Sequence, residues 1–235
     1  MILFYTLIKM DINFKVKYSN RRTFGLVIDR DKTIYVNAPN GVKKEKINNF
    51  IDKKRSWIYH KLNNKQKFRD ISEKEFVSGS SILYMGRNYN LDVNTYKHDG
   101  IKFNGKFLLS TKEKNNVNHL FKEWFIQKAN EKIIFLVEEN AKKLGVNYNL
   151  AGIKELKYRW GSCTPKNNIY FNWRLIKAPL SVINYVIMHE LTHLIEPNHT
   201  KRFWSIIKSQ QPNYEKAKYW LKENGQILED TFKTI

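Results

Sequence analysis

Hydrophobic and polar residues alternate in short runs along the first half of the chain, which is typical of half-buried β-strands. Three such runs lie between residues 13 and 37, and further runs occupy 81–84, 89–93 and about 101–109. A helical period interrupts them between residues 43 and 61, where we expect the apolar side chains to face inward. These apolar side chains are Ile47, Phe50, Ile51, Trp57 and Ile58.

The second half of the chain changes to mostly helical periodicity. A long helix is predicted from Val117 to Leu144, with Gly145 as the residue that ends it. Two strands at about 153–158 and 169–175 follow, and then helices at about 180–195, from Thr200, and at 214–221. The pattern predicts an α+β protein with a mostly β front half carrying one helix (residues 1–114). A helical back half with a small antiparallel sheet (residues 115–235) follows it.

The most informative motif is His189-Glu190-Leu191-Thr192-His193, which lies within a predicted apolar helix. One helical turn separates His189 from His193, so both imidazoles project from the same face of the helix. Two imidazoles at this spacing can bind one Zn²⁺, and Glu190 lies where it can reach a water on the metal. Surface or structural histidines are the alternative interpretation.

His199 is the candidate third ligand. Pro197 cannot continue a helix, and Asn198 is one of the few non-glycine residues that tolerates a left-handed conformation. We therefore predict a turn over residues 196–198 and a new helix capped by Thr200 or Asn198. Three protein ligands leave one position open on the metal, which is typical of a catalytic zinc site and not of a structural one.

The spacing of the three histidines matches the metzincin pattern, but other metzincin features are absent from the sequence. Glu196 stands where metzincins have glycine, and no methionine follows His199. A downstream carboxylate, Glu215 or Glu223, is the alternative third ligand, as in gluzincins. We favour His199 because the turn before it explains how it reaches the metal.

This chemistry predicts hydrolysis by a metal-activated water. Zn²⁺ lowers the pKa of a bound water from about 15.7 to near 7 and polarises a substrate carbonyl, while Glu190 transfers the proton. Arg159, Tyr185 and Asn172 are candidates for contacts to the substrate or the transition state. The strand at 169–175 is expected to offer an edge to an extended peptide, whereas Cys163 is expected to be a small buried residue.

Composition adds a strong basic bias. Among 235 residues, 42 Lys and Arg oppose 22 Asp and Glu, which gives a formal charge of +20. This charge predicts attraction to DNA or another polyanion, although a solvated Lys-rich surface is the simpler alternative. The single cysteine excludes an internal disulfide and fits a reducing, cytoplasmic location. No segment is long and apolar enough to predict a membrane span, and the oligomeric state is left open.

Taken together, these motifs give the chain a resemblance to the YgjP-like family of zinc metallopeptidases, relatives of the SprT-like proteases. The stretches that carry the resemblance are Tyr84-Met85-Gly86-Arg87, Arg159-Trp160-Gly161-Ser162-Cys163, Asn172-Trp173-Arg174-Leu175, His189-Glu190-Leu191 and Asn198-His199-Thr200-Lys201-Arg202-Phe203-Trp204. The resemblance implies a zincin-like second half, zinc on the three histidines and Glu190 as catalytic base. Related SprT-like proteins act on protein crosslinked to DNA, which suits a basic chain by analogy.

Three functions are therefore considered. The first is a cytoplasmic zinc metallopeptidase that cleaves protein or peptide, acting near nucleic acid. The second is a basic nucleic-acid-binding module whose zinc site is structural or silent, which Glu190 argues against because a structural site needs no base. The third is a metal-dependent hydrolase of another amide or ester, which shares the same chemistry.

Overall fold

A computed structural model describes residues 12–28, 33–62, 77–95, 100–110, 116–156 and 159–229. The chain forms two compact units, Met1–Asp70 and Ile71–Ile235. This division lies upstream of the boundary predicted at residues 114 and 115. The reason is that the strands between residues 81 and 110 place their apolar side chains in the same core as the helices that follow. The predicted turn at residues 29–32 lies outside the described residues.

The described residues of the first unit form a three-stranded sheet and one helix. Its strands β1 (Phe14–Ser19), β2 (Gly25–Ile28) and β3 (Ile34–Pro39) are arranged in the order β1-β3-β2, with β1 parallel and β2 antiparallel to β3. Alternate residues of β3 are buried, as the hydrophobic pattern predicts. The helix α1 (Lys44–Leu62) packs on this buried face and agrees with its predicted span within one residue.

The helix α1 departs from the expected packing at Trp57. Ile47, Ile51 and Ile58 are at most 3% exposed and form the inward face of the helix. Trp57 is 42% exposed. Because one residue rotates the helix by about 100°, a side chain next to Ile58 is turned well away from the inward direction. The prediction that Trp57 points into the core is therefore wrong.

The second unit begins with a four-stranded sheet. Its strands β4 (Ser81–Tyr84), β5 (Arg87–Asn94), β6 (Ile101–Phe103) and β7 (Phe107–Ser110) are arranged in the order β4-β5-β7-β6. The pair β5–β7 is parallel, and the other two pairs are antiparallel. Aromatic rings cluster around the fully buried Phe107, whose ring contacts those of Tyr84, Tyr89, Phe103, Phe121, Trp124 and Phe125.

The long predicted helix exists but contains a change of winding. Helix α2 (Val117–Ala129) continues through a π-helical segment (Asn130–Ile134) into α3 (Phe135–Leu144). Gly145 ends it in the left-handed region, at φ 69°, as expected for a residue that allows this conformation without a side-chain clash. A π segment of this kind leaves no signal in the hydrophobic pattern.

The metal-motif helix packs beside a second, three-stranded sheet. Its strands β8 (Leu150–Lys154), β9 (Gly161–Cys163) and β10 (Asn168–Asn172) are arranged in the order β8-β10-β9. The sheet is mixed and not antiparallel throughout, because β10 runs parallel to β8 and antiparallel to β9. The central strand is β10, so the expectation that it offers a free edge is wrong. The edge strand beside the metal motif is β9.

Helices complete the second unit. A short 3₁₀ helix (Trp173–Lys177) leads into α4 (Leu180–Thr192), which is followed by α5 (Lys201–Gln210), α6 (Tyr214–Asn224) and a 3₁₀ turn (Gly225–Glu229). Their buried apolar residues join the strands in one core. None of the helices in the described part of the chain is long and apolar enough to cross a membrane.

Candidate metal and catalytic site

The position of α4 is fixed at its first residues by the hairpin between β4 and β5. Two backbone amides in this turn donate to the 3₁₀ helix, from Met85 to Ile176 O at 3.0 Å and from Gly86 to Lys177 O at 2.8 Å. Gly86 has φ +77°, and a Cβ there would lie 2.7 Å from the Cα of Pro179. The tight turn therefore requires glycine, and it holds the start of the helix that carries the metal motif.

The chain turns back after His193 as predicted. Helix α4 ends at Thr192, and α5 begins after Thr200, whose hydroxyl accepts from Phe203 N at 3.3 Å. This confirms Thr200 as the cap. Asn198 does not have a positive φ, so the turn closes without the left-handed conformation that the sequence suggested. His199 is thereby placed opposite the face of α4 that carries the other two histidines.

The three histidines converge. Their ligand atoms all lie within 4.8 Å of one another, and Nε2 of His189 is 2.9 Å from Nε2 of His199. A tetrahedral zinc with Zn–N bonds of about 2.0–2.1 Å would separate its nitrogen ligands by roughly 3.3 Å, which is wider than the His189–His199 pair and within the 4.8 Å that bounds the cluster. Glu215 and Glu223, the alternative third ligands, do not belong to this cluster.

The hydrogen-bond environment of His193 favours ligation through Nε2. Its Nδ1 lies 3.3 Å from the carbonyl oxygen of Glu196, so an Nδ1–H can donate there, which leaves the lone pair of Nε2 free for a metal. Nδ1 of His189 is buried and has no hydrogen-bond partner among the described residues. The donor set of three imidazoles suits zinc, copper, iron or nickel better than magnesium or calcium.

Burial favours the neutral form of His189 and His193, which is the protonation state that a metal ligand needs. Burial is the main cause that lowers the pKa of His189 to about 3, and the neighbouring His193 and His199 contribute to this shift. Burial also lowers the pKa of His193, against the carbonyl of Glu196, which raises it. The three residues therefore fit a divalent metal in geometry and donor type.

The side chain of Glu190 extends from α4 to the edge strand β9. Its side chain is buried, at 7% exposed, and the backbone N–H of Cys163 donates to its carboxylate. Burial raises the pKa of Glu190 to about 7, while the Cys163 amide and the charge of Arg159 act in the opposite direction. A carboxyl group with this pKa is suited to exchange protons near neutral pH.

Gly161 is required by the approach of this carboxylate. A Cβ at position 161 would lie 2.6 Å from both Cγ and Oε1 of Glu190, a distance that side chains do not adopt. The sequence could not reveal this role, because Glu190 is far from Gly161 in the chain and approaches it only in the folded protein.

The three other candidate residues differ in their roles. Nη1 of Arg159, which is exposed, donates to Ser162 Oγ at 3.1 Å. Asn172 is buried, and its amide donates to Leu156 O at 2.8 Å while its oxygen accepts from Arg174 N at 3.1 Å. These backbone bonds make Asn172 a cap of the 3₁₀ helix, so a contact to substrate is not supported for it.

Tyr185 lies one turn before His189 on α4. Its ring meets the imidazole of His189 edge-on at 6.0 Å, and it stacks on Tyr214 at 6.3 Å. Burial raises the pKa of Tyr185 to about 12, with Tyr214 and Glu190 adding to the effect. The hydroxyl stays protonated at neutral pH and can act as a hydrogen-bond donor.

Sequence reasoning missed an aromatic wall behind the third histidine. The ring of Trp204 stacks on His199 at 5.7 Å, and Tyr214 stacks on the same tryptophan at 5.7 Å. Phe203, which is fully buried, contacts the rings of all three histidines between 4.7 and 4.9 Å. Aromatic packing of this kind restricts the ligand rings to few orientations.

Comparison with known proteins places the chain in a family. The metallopeptidase domain described as YgjP-like matches residues 22–224. The chain belongs to the YgjP-like metallopeptidase family. Membership implies a metal cofactor and a protein or peptide substrate. Among curated proteins, none matches this chain.

Two solved structures of metallopeptidase zymogens resemble part of the chain. Abylysin from Pyrococcus abyssi is 21% identical, with a TM-score of 0.37, and the alignment covers 43% of this chain and 99% of that one. Jannalysin from Methanocaldococcus jannaschii is 23% identical, with a TM-score of 0.36, over 41% and 97% of the two chains.

Proposed function

We propose that this YgjP-like protein is a zinc-dependent peptidase in which His189, His193 and His199 bind the metal and Glu190 is the general base. The observation that carries the proposal is the convergence of three imidazole ligand atoms within 4.8 Å, next to the buried Glu190. A structural zinc site has four protein ligands and needs no base, whereas three ligands leave room for water.

The roles of the residues follow from their surroundings. Zinc, when bound, supplies a Lewis acid that acidifies water and polarises a carbonyl. Glu190 takes a proton from the attacking water and delivers it to the leaving amine, a transfer favoured by a pKa of about 7. Tyr185 and Arg159 are the candidate donors to the oxygen that becomes negative.

The edge strand β9 is suited to hold an extended peptide. Thr164 N donates to Asn168 O, and Asn172 N donates to Trp160 O, both at 2.9 Å, so alternate residues of this segment bond to β10. The intervening Gly161 and Cys163 direct their peptide groups away from β10. The Cys163 amide binds Glu190, and a substrate backbone can pair with the remaining groups of this edge.

Two further features stay predictions from the sequence. The charge of +20 favours a polyanionic partner such as nucleic acid near the peptidase. The single cysteine, which is free and half-buried, fits a reducing, cytoplasmic location.

The test combines metal content with cleavage of an unfolded protein. We expect about one zinc per wild-type chain, a loss of zinc in His199→Ala, and no loss in His119→Ala, which removes an exposed histidine on α2. Glu190→Gln is expected to retain zinc and to lose cleavage by at least about 10²–10⁴-fold.

Each result bears on a different part of the proposal. An active Glu190→Gln protein would exclude this residue as the base. If zinc does not bind, the three histidines are not a zinc site. Zinc that is bound without cleavage of any peptide, amide or ester would favour a nucleic-acid-binding module with a silent site.

A further inference from the structure

The excess positive charge of this chain is concentrated in its first unit. Residues 1–70 contain 17 Lys and Arg against 6 Asp and Glu, whereas residues 71–235 contain 25 against 16. The net charge is therefore +11 in 70 residues and +9 in 165 residues. A charge spread evenly over a solvated surface does not predict such a difference between the two units.

Helix α1 arranges part of this charge in one row. Lys46, Lys53, Trp57 and Lys61 follow one another at spacings of seven, four and four residues, so they lie on one side of the helix. We call these four residues the basic-aromatic stripe. Lys46 and Lys53 are exposed and Lys61 is half-exposed, and the inward face of the same helix consists of Ile47, Ile51 and Ile58.

Trp57 is the unusual member of the stripe. It is 42% exposed, although the adjacent Ile58 is fully buried. The ammonium group of Lys61 lies 5.5 Å from the centre of the indole ring. An indole that faces solvent between lysines leaves apolar surface in contact with water, which favours a partner that can cover it.

We propose that the basic-aromatic stripe binds single-stranded nucleic acid, with its lysines on the phosphates and an unpaired base stacked on Trp57. At about 1.5 Å per residue the stripe is roughly 22 Å long, enough to follow several nucleotides. Exposed bases stack on aromatic side chains in single strands, whereas a duplex keeps its bases in its own stack. The inference deepens the nucleic-acid part of the proposed function and does not depend on the peptidase chemistry.

Helix α6 of the second unit provides a matched control. Tyr219 there is 64% exposed and has Lys216 and Lys222 three residues away on either side. The positions four residues away are acidic, Glu215 and Glu223, where Trp57 has Lys53 and Lys61. An exposed aromatic residue on a lysine-bearing helix is thus present in both units, but only α1 combines it with charges of one sign.

The experiment measures binding of the whole chain to a fluorescent oligothymidylate of about 20 nucleotides and to a duplex of the same length. We expect tighter binding to the single strand and a loss of about tenfold in Trp57→Ala. Lys53→Gln/Lys61→Gln should reduce the slope of log affinity against log salt by about 1.4, at about 0.7 for each phosphate contact. Tyr219→Ala and Lys216→Gln/Lys222→Gln should bind like the wild type.

The outcomes distinguish a failure of nucleic-acid binding from a failure of the basic-aromatic stripe as the binding surface. If the wild-type chain binds neither probe at low salt, the nucleic-acid part of the proposed function fails together with this inference. If the chain binds but the stripe variants match the α6 controls, or if the duplex is preferred and Trp57→Ala has no effect, the stripe is not the binding surface. Circular dichroism of each variant verifies that α1 remains folded.

Discussion

The helices α1 and α4 use polar side chains in opposite ways. On α4 the polar groups are withdrawn from water: Glu190 is 7% exposed, and burial lowers the pKa of His189 to about 3. On α1 the lysines and Trp57 face solvent around a core of isoleucines. Proton transfer and metal binding need groups whose charge is set by a dry environment, whereas binding a long polyanion needs charges that remain exposed.

The contrast between buried and exposed side chains is tested most directly at two neighbouring residues of α1, Ile58 and Trp57. Ile58→Ala is expected to destabilise the protein by about 2–5 kcal/mol because it leaves a cavity between α1 and β3. Trp57→Ala should change stability by less than about 1 kcal/mol, since the ring is 42% exposed. Urea unfolding followed by circular dichroism measures both. A loss for Trp57→Ala equal to that for Ile58→Ala would show that the tryptophan is a structural residue.

Burial of Glu190 makes the stability of the metal-free protein depend on pH, and the variant Glu190→Gln should reveal this dependence. The folded pKa of Glu190, about 7, lies above its ordinary value of 4.5. The protonated carboxyl group therefore contributes stability below pH 4.5, and this contribution is lost as the pH rises through 7.

A neutral amide avoids this loss. Glu190→Gln should gain stability over the wild type as the pH rises from about 4.5 to 8, by up to about 3 kcal/mol at 1.36 kcal/mol for each pKa unit. Thermal unfolding of both proteins across this range measures the difference. A constant difference between the two proteins at all pH values would mean that the carboxyl group is not desolvated.

The smallest expected loss of stability concerns the close contact between Gly161 on β9 and Glu190 on α4. Gly161→Ala places a Cβ 2.6 Å from Glu190, so it should cost about 2 kcal/mol and displace the carboxylate. Gly152→Ala on β8 is the matched control, because its Cβ would be at an ordinary 3.5 Å from Tyr170. Unfolding and peptidase assays of the two variants test this contact, and equal behaviour would argue against a close approach at Gly161.

The sequence predicted the convergence of the three histidines better than it predicted their surroundings. The helical spacing of His189 and His193 and the helix stop at Pro197 are local features, so the convergence of His199 could be inferred from them. The same local rules correctly gave α1, Gly145 and Thr200 as helix, helix end and cap. They failed for Trp57 because an apolar residue one position from the inward row still fits an amphipathic pattern.

What the amino-acid sequence determined by itself is the chemistry available to this protein: three imidazoles, one carboxylate and a strong net positive charge. Only the tertiary structure decided that β9 and not β10 is the edge strand, that Gly161 admits Glu190, and that Trp204 stacks on His199. These contacts join residues far apart in the chain. Their existence depends on how strands pair and helices pack, which hydrophobic periodicity within one segment does not specify.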